Sequence, residues 1–449
     1  MLSALKLIWT ITATVTFLQA ANGLWQVLLP LRMQSEGIST VMIGYVATTY
    51  GIGFTIGCIF TPAFVRHVGH IRAFASLASI SAIVALMFTQ AVNPTDWLIL
   101  RGISGLSMAG LFTVSDSWTS ACATSENRGR VLSIYMIFNK IALVISPLGI
   151  GLAPITSDGL FMTVAALMCM SLLPICAGKT TEPPMPSSVR INIRRIFSLA
   201  PSAAVGAFVV GIMNGPVTNL TAIYGVAVGM SAPLAAALLF AIQGGSLVMQ
   251  WPLGVISDKF DRRYVIAGLG IGTAVVCGLM IGATFIGSTT LIFLSTFLWG
   301  GIALCIYAVC VAHVCDVVPV EEIVPSVGGL LMLWAMGMAI GPAPAAFLMS
   351  WIAPWALYLY SGCAALLLSL FVIWRIRHKK RDPAGSGFVI MTPTTLATSQ
   401  LNPRAEPYED DELDEAGMED HVKAPEQKPE GEHVPEDEDI SLQGKPASG

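Results

Sequence analysis

Residues 255–263 read VISDKFDRR, and five of these nine residues are charged. The flanking sequence holds no Asp, Glu, Lys or Arg from residue 197 to residue 254 or from residue 264 to residue 314. Each flank is long enough for two membrane-crossing helices of about 20 residues. A short loop of mixed charge between two such apolar stretches is therefore predicted to be a water-facing turn between two membrane helices.

The same pattern extends over most of the chain. Of its 449 residues, 54% are hydrophobic and 12% are charged, whereas soluble domains carry about 25% charged residues. A backbone in lipid must satisfy its hydrogen bonds internally, so the apolar runs are predicted to be helices and the fold class all-α and integral to the membrane. The predicted limits of spans 1 to 12 are 6–31, 41–65, 71–91, 96–121, 129–154, 158–178, 196–226, 232–257, 263–287, 289–317, 324–350 and 352–376.

The loops predict the orientation and the domains. Lys and Arg concentrate in the loops after even-numbered spans and after span 12, which places those loops and both termini in the cytoplasm. The longest internal loop, 179–195, separates a six-helix bundle at 1–178 from a second at 196–381. The last segment, 382–449, has 17 acidic and 4 basic residues and is predicted to be a disordered cytoplasmic tail. A partner-binding arm is the alternative for this tail.

Several kinds of chemistry have no sequence support. The nine cysteines lie in apolar stretches without a CxxC pair or a Cys/His cluster, so neither a disulfide nor a metal site is expected. The sequence also has no phosphate-binding Gly-Lys-Ser/Thr loop and no HExxH motif. We therefore expect no enzyme activity, no cofactor and no nucleic-acid partner.

The two halves of the chain repeat each other. A shift of 192 residues carries Asn22 onto Asn214 and segment 66–72 onto segment 258–264. Two six-helix halves related by a repeat are the plan of many secondary transporters, in which the substrate site lies between the repeats near the middle of the membrane.

The stretch GVISDKFDRR resembles the signature loop of the major facilitator superfamily. That loop has a Gly, three residues, Asp, Arg or Lys, one residue, Gly, Arg, and then Arg or Lys. Asp261 replaces the second Gly, and the first-half copy keeps Gly69 but has Arg66 in place of the Asp. The motifs SDSW (115–118) and NRGRVLSIYMI (127–137) resemble the YcaD-like branch of this superfamily. The resemblance implies two pseudo-symmetric six-helix bundles and transport by alternating access.

The charged loop is interpreted as a cytoplasmic gate. The family's architecture implies that span 11 lies beside it, so Asp258 is predicted to accept hydrogen bonds from the first turn of span 11 when the halves close. Gly254 would allow the helices to approach closely. The alternative is a simple topology anchor, which explains the bases but not the acids. The residues assigned to this gate are Gly69, Arg72, Gly254, Asp258, Lys259, Asp261, Arg262 and Arg263.

Polar side chains within the apolar spans are costly and mark candidate functional positions. Lys140 and Arg101 give the first half two cations, which favours an anionic or hydroxyl-rich solute. Two alternatives stay open: Lys140 pairs with Asp116, and Arg101 orients neighbouring helices. The amides either line a cavity or join helices. The predicted substrate cavity consists of Gln19, Asn22, Trp25, Arg101, Tyr135, Asn139, Lys140, Asn214, Asn219 and Gln243.

Proton coupling would require a titratable group within the membrane. Asp116, His313 and Asp316 are the candidates, and both acids lie toward the cytoplasmic ends of their spans. The sequence predicts a monomeric secondary active transporter of the bacterial plasma membrane that moves a small polar or anionic metabolite, with that solute and the lipid bilayer as its partners. A proton-coupled multidrug exporter, and a transporter-derived sensor or lipid scramblase, are the alternatives.

Overall fold

A computed structural model describes residues 2–91, 93–121, 128–177, 193–319 and 322–378. Most of the predicted loop 179–195 and all of the predicted tail 382–449 lie outside these residues. A short helix, Ile193–Leu199, precedes span 7. Spans 1 to 12 are the helices Leu2–Ser35, Thr40–Val68, His70–Met87, Pro94–Ala121, Arg128–Ile145 with the 3-10 segment Ser146–Leu152, Gly159–Ala177, Pro201–Ala227, Ala232–Lys259, Arg262–Ile286, Thr289–Val317, Ile323–Ile340 with Pro342–Trp351, and Ala356–His378.

The helices have the length and surface that a membrane requires. In the part of the chain that the structure describes, spans 2 to 12 are each long and apolar enough to cross a membrane. Large apolar side chains such as Trp251, Phe285 and Leu367 are exposed on the outside of the bundle. Exposed apolar surface of this extent favours contact with lipid. Span 1 buries threonines and amides, among them Thr12, Gln19 and Asn22.

The helix packing repeats between the two halves. In the first half, span 1 packs on spans 5 and 6, span 2 on span 4, and span 3 on spans 4 and 6. The second half repeats this arrangement: span 7 packs on spans 11 and 12, span 8 on span 10, and span 9 on spans 10 and 12. The internal repeat in the sequence is therefore also a repeat in three dimensions.

Glycines permit the closest of these contacts. A Cβ atom added at Gly53 of span 2 would lie 2.0 Å from the carbonyl oxygen of Gly102 in span 4. At Gly245 of span 8, an added Cβ would lie 1.9 Å from the carbonyl oxygen of Phe297 in span 10. Gly53 and Gly245 are separated by the same 192 residues that relate the two halves of the sequence. Small residues let membrane helices pack backbone to backbone in this way.

Replacing Gly245 by alanine is expected to destabilise the protein. The added methyl group would overlap a backbone oxygen that cannot move alone, and overpacking of this kind costs about 1–3 kcal/mol. Thermal unfolding of the purified protein in detergent measures the loss. Gly278→Ala is the matched control, because no atom lies within 4 Å of its added Cβ. Equal melting temperatures for the two variants would contradict this account of the contact.

The two halves meet along several pairs of helices. Span 2 packs against span 11, span 8 against span 5, and span 1 against span 7. The contact between spans 2 and 11 is close: a Cβ added at Gly44 would lie 2.3 Å from the Cβ of Ala346, and one added at Gly51 would lie 2.5 Å from the Cα of Ala339. These contacts enclose the space between the halves from the side.

Candidate functional site

A cavity of about 130 Å³ lies between the two halves. Its walls come from spans 1, 2, 4 and 5 and from their repeat mates 7, 8, 10 and 11. Among the described residues that line it, Lys140 is the only charged one, and the rest are amides, hydroxyls, aromatics and aliphatics. The lining residues are Gln19, Asn22, Gln26, Tyr50, Phe54, Phe112, Asn139, Lys140, Leu143, Asn214, Thr218, Gln243, Leu304, Trp334 and Met338.

The polar part of the lining is dominated by amides. Asn22 Nδ2 donates a hydrogen bond to Gln19 Oε1 at 3.2 Å, so these two amides fix each other. Asn214 Oδ1 is buried and has no hydrogen-bond partner within the described part of the chain. Amides offer donors and acceptors together, which suits a solute that carries hydroxyl groups. The structure places six of the ten predicted cavity residues in the lining: Gln19, Asn22, Asn139, Lys140, Asn214 and Gln243.

Lys140 connects the two halves. Its Nζ donates to Ser246 Oγ of span 8 at 3.3 Å, and its side chain is buried, with 6% of the residue exposed. No ion pair joins Lys140 to an acid among the described residues. The carboxylate of Asp116 instead accepts a hydrogen bond of 2.7 Å from the hydroxyl of Tyr135. The structure therefore does not contain the alternative Lys140–Asp116 pair. The other described lining residues of the cavity are uncharged.

Four predicted cavity residues lie outside the lining. Tyr135 is turned to Asp116, and Asn219 Nδ2 donates to the carbonyl oxygen of Gly215, one turn earlier in its own helix, at 2.8 Å. Trp25 and Arg101 do not reach the lining either.

Arg101 lies behind the cavity wall. Its guanidinium carbon is 4.3 Å from the ring centre of Tyr50 and 5.8 Å from that of Trp25. A cation over an aromatic face at this distance is attracted by the ring's electron density. Arg101 therefore supports Tyr50, which is itself part of the cavity lining.

The sequence reasoning missed several lining residues, and some of them carried a usable signal. Gln26 follows Gln19 and Asn22 at helical spacing, so it lies on their face of span 1, and Thr218 follows Asn214 by four residues in the same way. The apolar lining residues had no such signal, because an apolar side chain in the cavity is indistinguishable in sequence from one that faces lipid.

The charged loop 255–263 forms a compact ionic cluster. Arg262 is buried, and its guanidinium donates to the carboxylate of Asp316 in span 10, to Ser257 Oγ at 3.0 Å and to Asp258 Oδ1 at 3.4 Å. Asp316 is also buried, with 5% of its side chain exposed, whereas that of Asp258 is 38% exposed. His313, one turn before Asp316, is buried as well. The cluster ties together spans 8, 9 and 10 of one half.

The predicted contact of Asp258 with span 11 is not among its described hydrogen bonds. Span 8, which leads into the loop, packs against span 5, whereas span 11 packs against span 2 of the other half. The described hydrogen bond of Asp258 is to Arg262, and the start of span 11 is held by Arg195, which donates to the carboxylate of Glu322 at 3.1 and 3.2 Å. The pseudo-symmetry pairs span 2 with 11 and span 5 with 8, so the loop next to span 11 is the first-half copy, which contains Gly69 and the exposed Arg72.

The remaining gate residues have local roles. Gly69 has φ = 86° and joins spans 2 and 3 without a longer loop. Gly254 is buried near the end of span 8, and Lys259 is exposed in its last turn. Asp261 caps span 9 by accepting a hydrogen bond of 2.9 Å from the backbone N–H of Arg263, whose guanidinium lies 2.8 Å away from the same carboxylate. Partial burial acts to raise the pKa of Asp261, but the hydrogen bonds and charge of Arg263 outweigh it and lower that pKa.

Removing the Asp261 cap is expected to cost about 1 kcal/mol of stability, which is typical for an N-cap Asp replaced by Ala. Asp261→Ser keeps the cap without the charge and should retain most of it. The lowered pKa means that the part due to the charge is present at neutral pH and is lost as the pH falls below about 4. Thermal unfolding of Asp261→Ala, Asp261→Ser and the wild type between about pH 3 and pH 8, a range that includes the usual pKa of an exposed Asp, measures both effects. A wild-type advantage over Asp261→Ser that grows on acidification would contradict the assignment.

Comparison with known proteins identifies the architecture. A model of the Major Facilitator Superfamily matches the chain twice, over residues 11–246 and 203–405. The chain belongs to the major facilitator superfamily. It is 23% identical to YcaD of Escherichia fergusonii, an uncharacterized MFS-type transporter, over 82% of this chain and 95% of that relative. The predicted fold class and the predicted family are confirmed, and the chain is a multi-pass membrane protein of a transporter superfamily.

Solved structures show the same fold. The nucleoside transporter NupG superposes with a TM-score of 0.66, covering 84% of this chain and 100% of its own. A bacterial homologue of the human lysosomal transporter Spinster, in an inward-facing and occupied conformation, superposes with a TM-score of 0.68 and covers 84% of this chain and 98% of its own. Each is 16% identical to this chain, so the likeness concerns the fold alone.

Proposed function

We propose that this protein is a secondary transporter for a small hydroxyl-rich monoanion, such as a sugar acid, which it moves by alternating access. The observation that carries the proposal is the cavity between the halves, lined by six amides and one cation, with no carboxylate among its described residues. Amides match hydroxyl groups, and a buried cation favours one negative charge. The location between two repeats of a superfamily of transporters fits a site that each half can expose in turn.

The apolar part of the cavity limits the size and shape of the solute. Phe54, Phe112 and Trp334 line it beside the amides. A mostly apolar wall with a few convergent polar groups is the usual composition of a small-molecule site. A solute with one carboxylate, several hydroxyl groups and a short carbon chain would meet each of these surfaces.

The proposed orientation and location follow from the distribution of charge. The loops with Lys and Arg, including 255–263, are assigned to the cytoplasm, and the membrane is assigned as the bacterial plasma membrane. The transporter is proposed to act as a monomer, because helices from the two halves of one chain are enough to line a cavity.

The charge of the cavity also separates this proposal from its alternatives. A cationic drug would meet Lys140 and no balancing acid among the described lining residues, which disfavours an exporter of such drugs. A sensor would signal through residues 382–449, so a chain ending at residue 381 would lose its output but keep solute binding. The transporter is expected to retain both binding and transport after this truncation.

Uptake into proteoliposomes tests the function. Radiolabelled D-gluconate and D-sorbitol are open-chain six-carbon polyols that differ mainly in the negative charge of gluconate, and D-glucosamine is a six-carbon amino sugar with a positive charge. The protein is expected to take up gluconate and to discriminate against glucosamine. Uptake of glucosamine that equals or exceeds that of gluconate would contradict the proposed substrate class.

A further inference from the structure

A charged Lys140 would leave the cavity with an unbalanced positive charge when it holds no solute. Lys140 is 6% exposed, and its described polar contact is the Ser246 hydroxyl, 3.3 Å from its Nζ. An ammonium in such a site, with no carboxylate beside it, costs free energy because it has left water without a counter-charge. Either the loss of its proton or the arrival of an anion removes this cost.

The groups that face Lys140 from the neighbouring helices do not supply the missing charge. The same cavity is lined by Gln19, Asn22 and Gln26 of span 1, Tyr50 of span 2 and Gln243 of span 8, and Ser246 of span 8 contacts Lys140 directly. Span 10 contributes the thiol of Cys305, a protonated neighbour at neutral pH. Two charged groups within span 4 are engaged elsewhere, Asp116 with Tyr135 and Arg101 with the ring of Tyr50.

We propose that Lys140 is the group that couples solute binding to proton binding. When the cavity is empty and the pH is high enough for Lys140 to be a neutral amine, an entering monoanion is accompanied by one proton, and the resulting ammonium pairs with the anion. The balance is R–NH2 + H+ + A− giving R–NH3+ with A−, so the cavity is electrically neutral in both states. One proton therefore accompanies each anion, and both leave together when the solute dissociates. This inference rests on the proposed function.

The contact with Ser246 fits both protonation states. A hydroxyl accepts a hydrogen bond from an ammonium, and it also donates one to a neutral amine. Lys140 lies in span 5 and Ser246 in span 8, so the proton is held where the two halves meet. The acids of the chain are less suited to this role, since Asp116 and Asp316 lie outside the cavity lining and are hydrogen-bonded to Tyr135 and Arg262.

The first arm of the test needs no solute. The stability of the wild type relative to Lys140→Met is measured by thermal and chemical unfolding between about pH 5 and pH 10. An exposed lysine keeps its proton over most of this pH range. A lysine that is neutral when folded and charged when unfolded releases a proton on folding, so the wild type gains stability relative to the variant as the pH rises. The ratio of their unfolding constants is expected to change by up to about tenfold per pH unit. A difference that is independent of pH would overturn the proposal.

The second arm measures gluconate binding against pH in the wild type and in Lys140→Arg. One proton per anion predicts that wild-type affinity falls by about tenfold per pH unit once the amine is neutral. Lys140→Arg, which keeps its charge, is expected to bind gluconate with an affinity that does not depend on pH. Wild-type binding that is equally strong at every pH would overturn the coupling but leave the transport proposal intact. A pH-dependent stability without gluconate binding would leave the Lys140 titration intact and count against the proposed substrate.

Discussion

Lys140→Gln is expected to weaken gluconate binding by about 10- to 100-fold. A hydrogen bond to a charged group contributes about 1.5–3 kcal/mol, and each 1.4 kcal/mol is about a factor of ten in affinity. Gln keeps a hydrogen-bond donor of similar length but removes the positive charge. The loss should therefore be specific to the anion, and any binding of neutral sorbitol should be unchanged. Isothermal titration calorimetry of the purified protein measures both.

The matched control is Arg377→Gln, which removes one positive charge from the exposed end of span 12. This span contributes no residue to the described lining. It should leave gluconate affinity unchanged, because a charge in contact with water is screened over about 10 Å. A similar loss in both variants would show that overall charge, and not the cavity, determines binding. An unchanged affinity in Lys140→Gln would remove Lys140 from the anion site.

Arg262→Gln is expected to lower the free energy of unfolding by about 3–5 kcal/mol, the usual cost of breaking a buried ion pair by removing one partner. The reason is the position of Asp316, whose side chain is 5% exposed and would lose the counter-charge of Arg262. Ser257 and Asp258 would lose their contacts with the same guanidinium. Unfolding of the purified protein in detergent, followed by melting temperature and by denaturant, measures the effect.

Arg263→Gln provides the control, because its partner Asp261 is in a more exposed pair at the surface of the loop. Exposed pairs contribute about 0–1 kcal/mol, so this variant should remain close to the wild type. Adding Asp316→Asn to Arg262→Gln should restore part of the stability, since it removes the unbalanced carboxylate. An Arg262→Gln protein as stable as Arg263→Gln would contradict the role assigned to the cluster.

The fold could be predicted because membranes constrain sequences strongly. Each span needs about 20 apolar residues, and this requirement marks the helices directly in the hydropathy pattern. The repeat was visible because symmetric contacts need the same residue types, as Gly53 and Gly245 show by meeting the backbones of spans 4 and 10. Asn22 and Asn214 could be placed in the lining for the same reason.

The details of the site could not be predicted, because they depend on how helices rotate and which helices adjoin. Arg101 lies within its span, as a cation of the cavity would. Its guanidinium packs against the ring of Tyr50, however, and Arg101 is not part of the lining. Tyr135 lies close to Lys140 in sequence, but its hydroxyl is directed at Asp116. The neighbours of the 255–263 loop depend on which helix of the other half packs against span 8. A two-fold repeat in the sequence does not determine that helix.

The central claim is that Lys140, which is positively charged when the solute is bound, selects a hydroxyl-rich monoanion. Competition in proteoliposomes tests it most directly: uptake of radiolabelled gluconate is measured in the presence of excess unlabelled gluconate, sorbitol or glucosamine, for the wild type and for Lys140→Gln. We predict that gluconate competes at least about tenfold better than sorbitol in the wild type, that glucosamine does not compete, and that Lys140→Gln loses this preference. Equal competition by gluconate and glucosamine, or an undiminished preference for gluconate in Lys140→Gln, would contradict the claim.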